Sequence, residues 1–212
     1  MTDAVRTGRR PSVVAVTLLI GVVALPLTLR LEPGNAFFLG AAFGLAAVWG
    51  GGAWLAGTRF AVSRERAPQL LALGAAVGGS LLAACLLAGL VAGRLPVLRE
   101  PAQHLLGHAG QGPTLLLIVL TVVNGVAEEM FFRGALYDTL PPRSAVITTT
   151  LVYTLMTVGS GVALLVVAAA FLGGATAWLR RRTSGLLAPT VAHLTWSVGM
   201  LLLLPSVLAT GR

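Results

Sequence analysis

Seven apolar stretches take up most of this 212-residue chain, at about residues 12–29, 36–58, 70–93, 113–139, 144–158, 161–179 and 185–208. A helix that crosses a bilayer needs about 20 mostly apolar residues, because its backbone polar groups have no water to bond to and must satisfy one another. Runs of this kind following one another admit one fold class: all-α, a polytopic membrane helix bundle of about seven transmembrane helices. Only 10% of residues are charged and the mean hydropathy is +0.88, against about a quarter charged in soluble domains. The runs leave no room for a soluble domain, so the chain is expected to be a multi-pass protein of the cell membrane whose first partner is the lipid bilayer.

The formal net charge of +8 records orientation rather than a nucleic-acid partner, since basic residues of membrane proteins gather on the cytoplasmic side. With the N-terminus cytoplasmic, Arg6, Arg9, Arg10, Arg59, Arg64, Arg66, Arg133, Arg143 and Arg180–Arg182 fall on or near the inside, and Arg30, Arg94, Arg99 and Arg212 outside. The run Arg180–Arg182 reads as a cytoplasmic flank and a contact for anionic lipid. The first apolar stretch follows three arginines, as in a signal peptide, but Pro26 to Glu32 offers no small-residue cleavage site, so it is read as a retained helix. Cys85 is the only cysteine and lies in the third run, where it packs or faces lipid and forms no disulfide within the chain.

Small residues recur at four-residue spacing in the early runs, at Gly40 and Gly44, Gly74 and Gly78, Gly89 and Gly93, with Gly50 to Gly52 between them. Such faces let helices approach closely in lipid and are assigned to packing. The longest connection, Arg94 to Gly112, holds His104 and His108, which share a helix face. No third ligand accompanies them, and the pair is read as an amphipathic turn on the outer side.

Two of the seven acidic residues, Glu128 and Glu129, lie deep in an apolar run, in NGVAEEMFFRG. One charge at that depth costs about 2.5 to 3.5 kcal/mol on insertion scales, so two in succession need a reason: a carboxyl tuned for acid–base work, or a structural polar cluster that joins helices. On a helix Glu129 and Arg133 are four apart and can pair, while Glu128 is rotated by about 100° and shares a stripe with Asn124 and Phe132. A second polar element is His193 in LLAPTVAHLTWS, with Ser197 on the same face. At about 1.5 Å per residue, Glu128 lies ~16 Å and His193 ~14 Å from the cytoplasmic ends of their helices. The two are expected to meet in one cavity open to the cytoplasm if the fourth and seventh helices are neighbours.

EEMFFRGALY resembles the EExxxR motif of the CPBP intramembrane proteases, the family of CAAX prenyl-processing endopeptidases and bacteriocin-immunity proteins, and LLAPTVAHLTWS resembles its later histidine motif. The likeness covers about residues 113–205 and divides the chain into three N-terminal helices with an outer loop, 1–112, and a CPBP-like core, 113–212. It implies an intramembrane endopeptidase in which Glu128 activates water, Glu129 and Arg133 organise the site, and His193 binds a metal or stabilises the oxyanion. The substrate would be a peptide or membrane protein near the cytoplasmic leaflet.

Two positions depart from that pattern. The middle motif, an aromatic followed four residues on by histidine, is YTLMT here, so Tyr153 fits and Thr157 replaces the histidine; Ser197 stands where asparagine is expected. A divalent metal such as zinc normally takes three protein ligands, and His193 with the carboxylates falls short, which leaves a metal-free glutamate mechanism in which Thr157 and Ser197 order water. The same departures fit a non-catalytic scaffold or immunity protein. A small transporter using Glu128 as a proton relay is the third function that intramembrane carboxylates allow, though repeated halves and paired broken helices are not seen. Fifteen arginines without a lysine, beside abundant alanine and glycine, point to a GC-rich bacterial source.

Overall fold

The structure, a computed structural model, describes residues 10–31, 35–60, 64–94 and 113–210; His104 and His108 lie outside them. The described residues form α1 (Pro11–Leu29), α2 (Ala36–Leu55), α3 (Ala67–Arg94), α4 (Thr114–Glu129), α5 (Ala145–Val158), α6 (Ala163–Thr183) and α7 (Leu187–Thr210). From Glu129 the α4 rod continues through a π-helical stretch, Met130–Leu136, into a last turn, Tyr137–Thr139.

Local chemistry sets several ends. Pro11 begins α1, where its missing N–H costs nothing. Asn35 caps α2 by accepting the Phe38 N–H at 2.7 Å. Gly57, in the left-handed region with φ of 87°, turns the chain after α2. At the end of α6 the left-handed residue is Ser184, whose N–H returns to the Arg180 carbonyl.

Among the described residues six helices are long and apolar enough to cross a membrane: α1, α2, α3, α4 with its continuation to Thr139, α6 and α7. The expected seventh span, α5, has 14 residues and reaches only about 21 Å at 1.5 Å per residue. It nonetheless runs from one end of the bundle toward the other, because Gly159 just past it packs against Pro26 near the far end of α1. At the opposite end Thr58, beyond α2, lies on Gly134, and Asp138 at the end of α4 meets Arg180 at the end of α6. The chain therefore alternates, and Arg10, Arg59, Arg64, Arg66, Arg143, Arg181 and Arg182 stand exposed at one end. This is a multi-pass membrane protein.

Neighbours follow chain order in part. α1 packs on α2, α2 on α4, and α5 on α6, whereas α3 runs along α7 and α4 also contacts α7. The α3–α7 contact is close because Gly74 and Gly78 face the Ala188 carbonyl and the Ala192 backbone. Half-buried Cys85 takes part in it, accepting the Trp196 indole N–H at 3.4 Å. The packing expected of Gly40 and Gly44 is not found: each faces open space, as does Gly51. Spacing marks a small-residue face but does not say whether a helix lies against it.

The centre of the bundle is aromatic. Trp49 of α2 meets Phe131 and Phe132 at centroid distances of 4.9 and 5.1 Å, and Tyr153 of α5 stands edge-on to Phe132 at 5.0 Å. All six residues Phe131 to Leu136 are buried. A helix enclosed on every side is one that others pack around, and this enclosed stretch is the π segment that directly follows the carboxylate pair.

Candidate active site

Glu128 and Glu129 are the last two residues before the π segment, at the point where backbone bonding changes from i−4 to i−5. Their rotation about the helix sends them into different surroundings. The Glu129 side chain is fully enclosed, and its Oε1 lies 3.3 Å from Arg133 Nη1 and 2.8 Å from His193 Nδ1. Glu128 keeps 17% of its side chain exposed. Its Oε2 accepts the Tyr153 hydroxyl at 2.8 Å and lies 3.9 Å from His193 Nε2.

His193 thus stands between the two carboxylates, with one ring nitrogen toward each. If Nδ1 gives its proton to Glu129, the facing Nε2 and Glu128 need one more proton between them, or a water that supplies it. Arg133, also fully buried, donates from Nη2 to the Gly173 carbonyl of α6 at 3.1 Å and lies over the Tyr153 ring at 4.7 Å. Glu129 Oε2 and Arg133 Nε have no hydrogen-bond partner; Nη1 has its ion pair with Glu129 but no aligned hydrogen bond.

The three supporting residues named from the sequence turn inward on their own helices. Half-buried Asn124 donates to the Leu120 carbonyl at 3.0 Å, Thr157 to Thr154 at 2.7 Å, and Ser197 to the His193 carbonyl at 2.8 Å. Hydroxyls in apolar helices commonly bond back in this way. Ser197 therefore touches the backbone of His193 and not its ring. Glu128, rotated away from Arg133, has the Tyr153 hydroxyl as its hydrogen-bond partner.

Residues 110–199 match the family model for type II CAAX prenyl endopeptidase, Rce1-like. That segment, a little under half of the chain, is similar to the Rce1-like family. No curated protein and no solved structure matches the chain. The Rce1-like segment covers α4 to α6 and α7 as far as Gly199, and so contains Glu128, Glu129, Arg133, Tyr153 and His193.

The donors in the Rce1-like segment do not fit zinc. Among the described residues no group of three or more histidine, cysteine, aspartate or glutamate side chains is placed to hold a metal ion. His193 Nδ1 is committed to Glu129, and Thr157 supplies a hydroxyl already bonded to Thr154. Carboxylates and an imidazole in this arrangement can still exchange protons with a water and polarise a carbonyl.

Burial around the site is uneven along the bundle. On the arginine-rich side of the site, Phe131 to Leu136 of α4 and Leu186, Ala188, Pro189, Thr190 and Ala192 on and beside α7 are all buried. On the other side, Leu194 to Leu201 of α7 are each only partly buried. The bulky aromatics of MFFRGAL fill the arginine-rich half, a consequence of the enclosed π stretch that depth along a helix does not report.

Two polar residues around the site escape a reading of its motifs. Tyr153 is visible in the sequence only as an aromatic at a motif position, and its hydroxyl is what reaches Glu128. Arg180 reads as a topological charge, yet its Nε donates to the Arg133 carbonyl at 2.7 Å and its Nη2 pairs with Asp138 at 3.0 Å. Its partners are more than forty residues away in the chain, and no local pattern announces them.

Proposed function

We propose that this protein is a metal-independent intramembrane endopeptidase in which Glu128 is the general base. What supports the reading is the asymmetry of the pair: Glu129 is sealed and holds Arg133 and His193, whereas Glu128 keeps an exposed edge with Tyr153 and His193 converging on it.

In this mechanism a water beside Glu128 Oε2 gives its proton to the carboxylate as its oxygen attacks the scissile carbonyl carbon. The carbonyl oxygen becomes an oxyanion, and the Tyr153 hydroxyl and a protonated His193 Nε2 are the donors nearest to it. Glu129 fixes the imidazole through Nδ1, the role a carboxylate takes when it orients a catalytic histidine. The tetrahedral intermediate collapses with cleavage of the C–N bond, and Glu128 passes the water's proton to the departing amine. The products are a carboxylic acid and an amine, and the site returns to its starting protonation.

The substrate class is a peptide or membrane-protein segment that reaches the site within the bilayer, since the packing is closed on the arginine-rich side. The test compares the peptides and new protein termini of cells carrying the wild type with those of cells carrying Glu128→Gln at equal membrane abundance. Loss of a positioned acid–base group slows the chemical step by about 10²- to 10⁴-fold, so products present in the wild type should vanish. Identical peptidomes across growth conditions would refute the proposal. They would favour a second reading, a non-catalytic scaffold or immunity protein, which is supported by Thr157 in place of the motif histidine and by the inward-turned Ser197 hydroxyl.

A further inference from the structure

A π-helical stretch of seven residues, Met130–Leu136, is long for a structure that elsewhere occurs mostly as single-turn bulges. The packing shows what holds it. Helix α6 touches Arg133 at two levels. Its Gly173 carbonyl accepts the Arg133 guanidinium at 3.1 Å, and its Arg180 Nε donates to the Arg133 main-chain carbonyl at 2.7 Å. Gly173 and Arg180 are seven residues apart, two turns on one helix face. One face of α6 therefore offers an acceptor to the side chain of Arg133 and a donor to its backbone.

The Arg180 guanidinium is itself fixed. Asp138 pairs with Nη2 at 3.0 Å, and the Tyr137 ring lies 5.3 Å below its central carbon. Both partners belong to the turn that follows the π segment, so Arg180 ties that turn to the middle of the segment. Gly173 allows the other contact: a β-carbon there would come within 3.1 Å of Tyr153 Cδ1 and 3.4 Å of Arg133 Nη2. From Arg133 the contacts continue to Glu129 Oε1 at 3.3 Å, to His193 Nδ1 at 2.8 Å, and across to Glu128.

We infer that Arg180 is a positioning residue: by holding the Arg133 carbonyl it fixes the π register that places Glu129 and Arg133 against His193. It touches none of the groups to which the chemistry is assigned. The register part of the inference stands apart from the proposed hydrolysis; the kinetic part rests on it.

The test is Arg180→Lys, which keeps the positive charge and the capacity to pair with Asp138 but lacks the planar fork needed to serve Asp138 and the Arg133 carbonyl together. Hydrogen–deuterium exchange of the detergent-solubilised protein reads the register directly. Loss of a charge-assisted hydrogen bond should speed exchange of the 130–136 amides by about tenfold or more, with α3 and the second half of α7 unchanged. Arg182→Gln, which removes an exposed charge from the same run, should leave the pattern of the wild type. In the peptidome assay Arg180→Lys should lower Glu128-dependent products by about 10- to 100-fold, and with a substrate so found the purified protein should show the loss in kcat with little change in KM, as expected of misplaced catalytic groups.

Wild-type exchange in 130–136 overturns the inference, and so does faster exchange spread over every helix, which would make Arg180 a general stabiliser. Local acceleration in a protein whose wild type cleaves nothing keeps the positioning role and removes the proteolytic reading instead. If Arg180→Lys does not accumulate, Asp138→Ala loosens the same guanidinium while leaving the polar chain from Arg133 to His193 intact, and it carries the same expectations.

Discussion

Replacing Glu129 by glutamine removes the one charge that faces both Arg133 and His193, and it does so where neither can turn to water. Breaking a buried ion pair from one side costs about 3–5 kcal/mol, so Glu129→Gln should lower the unfolding temperature in detergent sharply. Glu128→Gln should leave it close to the wild type, because Glu128 keeps an exposed edge and a glutamine oxygen still accepts from Tyr153. Equal losses of stability for the two variants would contradict the division of labour between them. Tyr153→Phe isolates one hydrogen bond: the ring stays against Phe132 and Arg133 while the donor to Glu128 is lost. The expected result is a fall of about tenfold or more in cleavage with unchanged folding, measured on the same peptide products. At this scale the sequence was informative about Glu128, Glu129, Arg133 and His193, because polar residues deep in apolar helices stand out. It was silent on where Asn124, Thr157 and Ser197 would turn, since a side chain that bonds its own helix and one that points into a site have the same spacing.

The helices were legible as elements because length and hydropathy decide them in lipid, and α4 to α7 fall within a residue or a few of the apolar runs. Their internal geometry was not. Nothing in MFFRGAL separates a π stretch from an α-helix, and the distinction rests on α6, whose Gly173 and Arg180 lie some forty residues downstream. Close approach of helices divides in the same way, as adjacent glycines of α3 show. A β-carbon on Gly78 would lie 2.9 Å from the Ala192 Cα and 3.0 Å from its carbonyl carbon, backbone that cannot step aside, whereas Gly79 has nothing within 4 Å. Helix propensity alone favours alanine over glycine by about 0.8–1.0 kcal/mol at either site. Gly79→Ala should therefore be neutral or stabilising, and Gly78→Ala should destabilise by about 1–3 kcal/mol through overpacking. Thermal unfolding of the two single variants in one detergent checks the sign, and a like response from both would mean that α3 and α7 are not in close contact.

Across the whole molecule, the alternation of helix ends gathers most of the exposed arginines on one face, with Arg30 at the other, the bias that cytoplasmic loops show in membrane proteins. In a Cys85→Ala background, cysteines placed at Arg143 or Arg182 should resist a membrane-impermeant thiol reagent in intact cells, and cysteines at Leu31 or Ser160 should react. The opposite pattern would invert the orientation and put the closed half of the site on the outer side. A further consequence comes from α5. Its 14 residues fall about 9 Å short of a hydrocarbon core of about 30 Å. The bilayer must thin beside it or draw headgroups and water inward, at fractions of a kcal/mol per Å of mismatch. That pinch lies on the helix that carries Tyr153. Where that pinch brings water toward Tyr153, acyl-chain length becomes a control on the proposed turnover: reconstitution into short-chain lipids should speed cleavage, and thick bilayers should slow it.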